Sequence, residues 1–499
     1  MGRTQAVLDS SSSIGTIDRR IFGSFVEHLG RCVYTGIFEP DHPQADANGF
    51  RRDVLDLVRE LGVTVIRYPG GNFVSSYRWE DGVGPVSARP ARLDPAWRSL
   101  EPNTFGTDEF LRWCRVAGVE PMMAVNLGTR GVEEAADLLE YCNHPGGTAL
   151  SDRRHANGAP EPYGVRLWCL GNEMDGPWQI GHRSAEQYGW LARTTAHAMR
   201  RIDPTVELVA CGSSGRSMPT FGTWERTVLG FAFDHVDYIS AHAYYEECDG
   251  DLASFLASGA DMDAFIDGVT EAADEVAADR DSDKRIDIAF DEWNVWYLSR
   301  ASSEERSGWQ TAPRLIEDVY SVADAVVVGD LLITLLKHAD RVRVACLAQL
   351  VNAIGPIMTE PGGRAWRQAT FHPFSLTARE ARGVSLRAEV SGPTLDTGRH
   401  GEVSTVNVAA TVEPSRLAVF AVNRDVDNAH ELEIDLSRVG RATGAKAVAI
   451  FDEDVHAVNT AEEPDRVVPR AIEAVSVEQG SIGLSLPPAS WTMVTADIV

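Results

Sequence analysis

The sequence is sparing with the groups that build disulfides, metal centres and membrane spans. Its seven cysteines, at positions 32, 114, 142, 169, 211, 248 and 346, are odd in number, widely spaced and form no C-x-x-C pair. That argues against a disulfide framework and a zinc cluster, and suits cysteines that pack as small apolar core residues. H-E-x-x-H, H-x-H and Asp-rich calcium loops are missing, so no catalytic metal and no cofactor are expected. The stretch "CGSSGRS" (211–217) lacks the G-x-S-x-G elbow of a nucleophilic serine. No apolar run reaches the length of about eighteen residues that spans a bilayer, and "MGRTQAVLDSSSSIGTIDRR" has no apolar stretch of secretory length. A cytoplasmic protein without membrane contact is the expectation. Basic residues are scarce too: 46 Lys and Arg face 73 Asp and Glu, a formal charge of −27 that would repel nucleic acid and anionic lipid alike. A neutral ligand is not excluded by that charge.

What is present is an ordinary globular composition, 44% hydrophobic and 24% charged over 499 residues, enough for a large domain with a smaller companion. From residue 21 to about 352, short apolar runs alternate with longer segments of helical period. The runs are "IFGSFVEHL", "VTVIRYPGG", "EPMMAVNLGT", "RLWCLGNE", "VELVACGSS", "VDYISAHAYY", "IDIAFDEWNV" and "RVACLAQLVN". Between them lie amphipathic stretches such as "DVLDLVRELG" and "AEQYGWLARTTAHAMRRID". This pattern predicts an α/β fold, a (β/α)8 TIM barrel, over residues 19–374. A doubly wound open sheet is the alternative, disfavoured because no G-x-G-x-x-G turn follows the first strand. After about residue 375 the texture becomes short β-rich runs, such as "RLAVFAVNR" and "ELEIDL", between charged or Gly/Pro turns. Residues 375–499 read as an antiparallel β-sandwich.

In such a barrel the C-terminal strand ends face the active site, and here they are rich in carboxylates and amides. Glu27 ends the first strand, Arg67 and Asn72 flank the Pro-Gly-Gly of the second, and Asn126 ends the third. Asn172 and Glu173 end the fourth, His242 and Tyr244 the sixth, Asp291, Glu292, Trp293 and Asn294 the seventh, and Gln349 and Asn352 the eighth. Glu173 and Glu292, on opposite sides of the mouth, can approach one ligand from two directions. Such a pair suits glycoside hydrolysis, where a protonated carboxyl serves the leaving oxygen and an ionised one attacks carbon or activates water. Arg67 and Tyr244 could hold the ionised member. Each residue also has a plainer explanation: Asn172 closing a turn, Asp291 capping a helix, His242 a hydrogen-bonded core histidine, and Trp97, Trp178, Trp293 and Trp296 core residues. Trp97 and Trp296 sit where an aromatic can instead wall a sugar ring.

The blocks "FGSFVEHLGRCVYTGIFEP", "RYPGGNFVSSYRWEDGVGP", "WCLGNEMDGPWQIGH", "AHAYY" and "FDEWNVWY" closely resemble the intracellular α-L-arabinofuranosidases of glycoside hydrolase family 51. The resemblance implies a retaining exo-hydrolase that releases terminal non-reducing α-L-arabinofuranosyl residues from oligosaccharides. It implies Glu173 as the general acid/base and Glu292 as the nucleophile. Glu27, Arg67, Asn72, Trp97, Asn172, Tyr244, Trp296 and Gln349 match positions that line the sugar pocket. It also implies a homo-hexamer, and an N-terminal strand within residues 1–18 that joins the C-terminal sandwich. Two other expectations stand beside it: an endo-glucanase or xylosidase on the same barrel, and a non-catalytic carbohydrate-binding protein.

Overall fold

The computed structural model describes residues 2–301, 308–478 and 480–499. After an N-terminal strand, β1 (Gly2–Thr16), eight parallel strands close into a barrel in chain order. They are β2 (Gly23–Phe25), β3 (Val65–Tyr68), β4 (Glu120–Ala124), β5 (Leu167–Leu170), β6 (Glu207–Ala210), β7 (Tyr238–Tyr245), β8 (Asp287–Val295) and β9 (Val342–Leu347). The strands coincide with the eight apolar runs. β3 and β5 are buried at every position, because barrel strands are covered on both faces and so lack the alternation of a half-exposed sheet.

The crossover helices are α1 (Arg52–Leu61), α2 (Thr107–Ala117), α3 (Val132–Asn143), α4 (Ala185–Ile202), α5 (Thr223–Ala232), α6 (Gly259–Asp279), α7 (Val322–Lys337) and α8 (Phe371–Glu380). α1 buries Val54, Leu55, Leu57, Val58 and Leu61, one stripe of the helix, against the barrel. α4 starts where Ser184 accepts a hydrogen bond from the Gln187 N–H and Gln187 reaches back, a reciprocal cap written in the sequence as "SAEQ". α7 is different, since residues 322–336 are all buried. A helix apolar all round needs cover on every side, and α7 lies between the barrel and the C-terminal β domain.

That β domain contains β10 (Val384–Ser391), β11 (Val406–Glu413), β12 (Arg416–Asn423), β13 (His430–Arg438), β14 (Ala442–Ile450), β15 (Arg470–Ile472), β16 (Ser476–Glu478), β17 (Ser481–Leu486) and β18 (Ser490–Ile498). With β1 they form one ten-stranded sheet, ordered β15-β14-β18-β12-β11-β10-β1-β13-β17-β16. The two ends approach each other, β14 lying near β16 and β17. Val408, Val419, Ile434, Leu484 and Val494 fill the interior of this domain, while Ala409, Phe420, Trp491 and Met493 on the reverse face join the barrel core. "LAVFAV" is therefore apolar at consecutive positions because β12 has a hydrophobic partner on each side.

Two details differ from expectation. β1 pairs antiparallel with β10 but parallel with β13, so the sheet is mixed rather than wholly antiparallel. The expected boundary between 374 and 375 falls inside α8, which continues to Glu380, and β-structure resumes only at Val384. The helical period of "FHPFSLTARE" runs straight across the compositional change.

A buried ion pair fastens the two parts. Asp330 on α7, fully buried, accepts two hydrogen bonds at 2.8 Å from Arg424, one at 2.8 Å from Asn407 and one at 3.0 Å from the Gly259 N–H. Removing one member of such a pair leaves the other charge buried and unmatched, at a cost of about 3–5 kcal/mol. Asp330→Ala should lower the urea midpoint accordingly, and adding Arg424→Met should recover part of the loss. An unchanged midpoint for Asp330→Ala would mean that the pair does not fasten the domains.

Candidate active site

The strand ends converge on one cavity of about 780 Å³ whose lining includes Glu27, Asn72, Trp97, Glu173, Tyr244, Glu292, Trp296 and Gln349. Eight of the ten residues singled out in the sequence thus share one space. The other two, Arg67 and Asn172, are not among the residues lining that space and are both 1% exposed. Their polar atoms are already engaged. Arg67 Nη1 donates to Glu292 Oε1 at 2.7 Å, Nη2 donates to Asn172 Oδ1 at 2.7 Å, and Nε lies 3.0 Å from Asp291 Oδ2.

Backbone conformation helps to aim these groups. β8 shifts register against β7 between Ala289 and Glu292. In a regular strand, consecutive side chains point to opposite faces; at this irregularity Asp291 and Glu292 both contact Arg67. At the end of β5, Gly171 takes a positive φ of 93° and Glu173 itself sits at φ 43°. That left-handed conformation costs a residue with a side chain about 1–3 kcal/mol, and such strain gathers at functional sites. After β3, a Cβ on Gly70 would meet Glu27 Cγ at 2.4 Å, so only glycine lets this chain pass beside the carboxylate.

The two glutamates have unlike surroundings. Glu292 accepts from Arg67 on one oxygen and from the Tyr244 hydroxyl, at 2.7 Å, on the other. Glu173 Oε1 lies 2.9 Å from His242 Nδ1, and its Oε2 accepts the Trp178 indole N–H at 2.6 Å. His242 Nε2 is 3.1 Å from Asp291 Oδ1. Burial pushes the Glu292 carboxyl above its ordinary range, Glu173 adds to this, and His242, Arg67 and Tyr244 pull against it. Burial disfavours the His242 imidazolium, but Glu292, Asp291 and Glu173 outweigh it and raise its pKa well above the usual value. Burial works against the Asp291 carboxylate as well, yet Arg67 and His242 prevail and hold its pKa low.

At the buried end, Glu27 Oε1 accepts from the Phe73 N–H at 2.9 Å and from the Trp97 indole at 2.7 Å, and Oε2 accepts from Gln349 Nε2 at 2.8 Å. Burial raises this carboxyl to about 8 despite those donors. Gln349 Oε1 and Trp296 Nε1 are buried with no hydrogen-bond partner among the described residues. An unmatched acceptor and an unmatched donor in a cavity wall are what a hydroxyl-bearing ligand would satisfy. The ring of Trp296 stands edge-on to Tyr244, centroids 5.1 Å apart. Glu27 and Gln349 are 2% exposed, whereas Trp178 and Leu298 are 52% and 51% exposed, so the cavity ends blindly at the former and opens at the latter.

Several residues took roles the sequence left open or missed. His242 bridges two carboxylates, and Asp291 anchors Arg67 rather than capping a helix. Trp293 is core, stacked on Phe374, but Trp178 reaches Glu173 from the loop that follows it. Asn126, Asn294 and Asn352 turn to nearby backbone and serve the loops instead of the cavity. Ligand atoms of Glu173, His242 and Glu292 lie within 4.8 Å of one another, close enough to surround a small cation. The arrangement does not suit one. Arg67 already supplies a fixed positive charge to Glu292, and a histidine with a raised pKa between two carboxylates holds protons where a metal needs a lone pair.

Comparison with known proteins agrees with this geometry. The family described as Alpha-L-arabinofuranosidase 1 domain matches residues 57–256, and Alpha-L-arabinofuranosidase C-terminal domain matches residues 291–490. The chain is 57% identical to an intracellular exo-α-(1→5)-L-arabinofuranosidase of Streptomyces lividans, over 99% of this chain and 75% of that protein. It is 55% identical to an exo-α-(1→6)-L-arabinofuranosidase of Bifidobacterium longum, over 98% and 97% of the two chains. Among solved structures, a family 51 α-L-arabinofuranosidase from Bifidobacterium longum superposes with a TM-score of 0.95 at 48% identity, covering 99% of this chain and all of that one. An α-L-arabinofuranosidase from Thermotoga maritima, solved as an arabinose complex, gives a TM-score of 0.87 at 33% identity over the full length of both. The chain belongs to the α-L-arabinofuranosidases of glycoside hydrolase family 51.

Proposed function

We propose that the protein releases terminal non-reducing α-L-arabinofuranosyl residues from oligosaccharides by double displacement. Glu292 attacks the anomeric carbon while Glu173 gives its proton to the departing oxygen; Glu173 then takes a proton from water, which frees the sugar from Glu292. The observation that carries this reading is the approach of the two carboxylates, an oxygen of each lying within 4.8 Å of the other. That fits the separation of about 5–5.5 Å used for retention and not the roughly 6.5–9.5 Å that leaves room for an inverting water. A cavity that is blind behind Glu27 and Gln349 supports exo-action on one terminal sugar. An endo-acting glucanase would call for a groove open at both ends, and a binding protein would have no use for two opposed glutamates.

The remaining expectations rest on the family resemblance. The protein acts in the cytoplasm, in keeping with the intracellular naming of the Streptomyces relative. It assembles as a hexamer, and its β domain is a sandwich around Val408, Val419, Ile434 and Leu484 that β1 completes. The barrel domain extends from residue 19 through the end of α8. Light scattering should give a mass near six chains of 54.4 kDa; a monomeric mass would refute the assembly.

Glu292→Ala should abolish turnover of every arabinofuranoside. Glu173→Ala should still form the glycosyl-enzyme from aryl glycosides with good leaving groups, and azide should restore its turnover. Early-time NMR should detect product of retained anomeric configuration, and inverted product would sink the double displacement.

The charge state of Glu292 gives a pH prediction. Its carboxyl must be ionised to attack, so activity falls as pH drops through its raised pKa. The Tyr244 hydrogen bond opposes that rise. Tyr244→Phe should therefore move the acidic limb of kcat/KM to higher pH, by about one unit for one hydrogen bond to a charged group. An unmoved limb would show that this limb reports another group.

A further inference from the structure

Past Glu173 the cavity continues along the ends of β6 and β7 to the start of α6, where its wall includes Ser214, Arg216, Phe221, Tyr245 and Asp261. None of these stood out in the sequence. Three come from separate segments yet meet: Arg216 Nη1 donates to Asp261 Oδ1 at 2.9 Å, and the Tyr245 hydroxyl donates to Asp261 Oδ2 at 3.3 Å. The turn that carries Arg216 is tied to the acid/base loop, because the Ser214 N–H and hydroxyl both donate to Asp175 Oδ2 at 3.0 Å.

Stability does not account for this pair. Its side chains are 46% and 26% exposed, and ion pairs so exposed contribute little to folding. A guanidinium offers five N–H donors, and among the described residues Arg216 makes no other side-chain hydrogen bond. Its position is fixed by Asp261 while most of its donors remain available at the cavity wall. The volume points the same way: about 780 Å³ lies in the upper part of the range of roughly 300–1,000 Å³ that encloses a drug-sized ligand, far more than one pentose occupies. Phe221, Leu298 and the half-exposed Trp178 add apolar surface at the same mouth.

We propose that Arg216, oriented by Asp261 and Tyr245, determines specificity on the leaving-group side by hydrogen-bonding hydroxyls of an uncharged oligosaccharide chain. The inference rests on the glycosidase reading above. The chain is uncharged because Asp261 already matches the arginine, which leaves its N–H donors for hydroxyls but no net charge for a uronate.

The test compares 4-nitrophenyl α-L-arabinofuranoside with a neutral arabinofuranosyl trisaccharide and its analogue bearing a uronic acid on the leaving-group side. For Arg216→Ala and Asp261→Asn, the ratio of kcat/KM on the neutral trisaccharide to kcat/KM on the aryl glycoside should fall about tenfold, as for loss of one charge-assisted hydrogen bond. The loss should reside mainly in KM. An unchanged ratio overturns the assignment of Arg216, and a wild type that prefers the uronate overturns the neutral chain. If the wild-type protein cleaves no arabinofuranoside, the proposed function fails instead, and that outcome is distinct from both.

Discussion

The site depends on one buried cation. Arg67 lies at 1% exposure at the end of β3 and joins three residues from two other parts of the barrel mouth: Asn172 after β5, and Asp291 and Glu292 on β8. Carboxylates that close would repel one another and take up protons without a compensating charge. A lysine could not replace this group, since one ammonium cannot make the planar, divergent contacts that Nε, Nη1 and Nη2 make here. The ring of Phe25, 5.0 Å from the guanidinium carbon, gives the cation an apolar wall on another side. A chain with a formal charge of −27 thus gathers acids at its catalytic mouth by burying an arginine among them.

The barrel and the β domain support that cluster at different ranges. Nearby, the register shift in β8 and the left-handed backbone at Glu173 turn side chains where regular strands would not point them. Farther away, α7 carries both the packing against β8 and the ion pair from Asp330 to Arg424. The β domain therefore covers a helix that would otherwise expose an apolar face, and by covering it helps to fix the strand that bears Glu292.

Much of this was legible in the sequence, for physical reasons. A barrel strand is an apolar run ending in a polar rim, so eight such runs displayed the fold and, at or just past their ends, Glu27, Asn72, Glu173, Tyr244, Glu292 and Gln349, whereas Trp97 and Trp296 were marked by the family resemblance. The sequence could not disclose depth. Arg67 and Asn172 sit at strand ends like the others, yet they are almost fully buried and bonded to each other, because how deep a side chain lies depends on register and on which charges surround it. Trp178 looked like core because an aromatic beside Gly-Pro carries no pattern, and only the fold of the loop brings its indole to Glu173. Arg216, Tyr245 and Asp261 belong to segments with unrelated periodicities, and their meeting is a tertiary fact. The parallel pairing of β1 with β13 was equally invisible, since side chains alternate along β1 in the same way whether its neighbour runs parallel or antiparallel.

The two glutamates differ most in what their partners can do. Glu292 is held by a guanidinium that never gives up its proton and by a phenol whose pKa is driven well above 10 by burial and by Glu292 itself. Neither of these two partners gives up a proton readily at neutral pH, which suits the nucleophile proposed for this position. His242 stands between the two glutamates, its Nδ1 at 2.9 Å from Glu173 and 3.6 Å from Glu292, and its Nε2 is tied to Asp291. The acid/base proposed for Glu173 would change protonation twice in each turnover, and the nearer imidazole would balance its charge at both stages. What separates two chemically identical side chains is thus their direct hydrogen bonds: a guanidinium and a phenol on Glu292, an imidazole and an indole on Glu173.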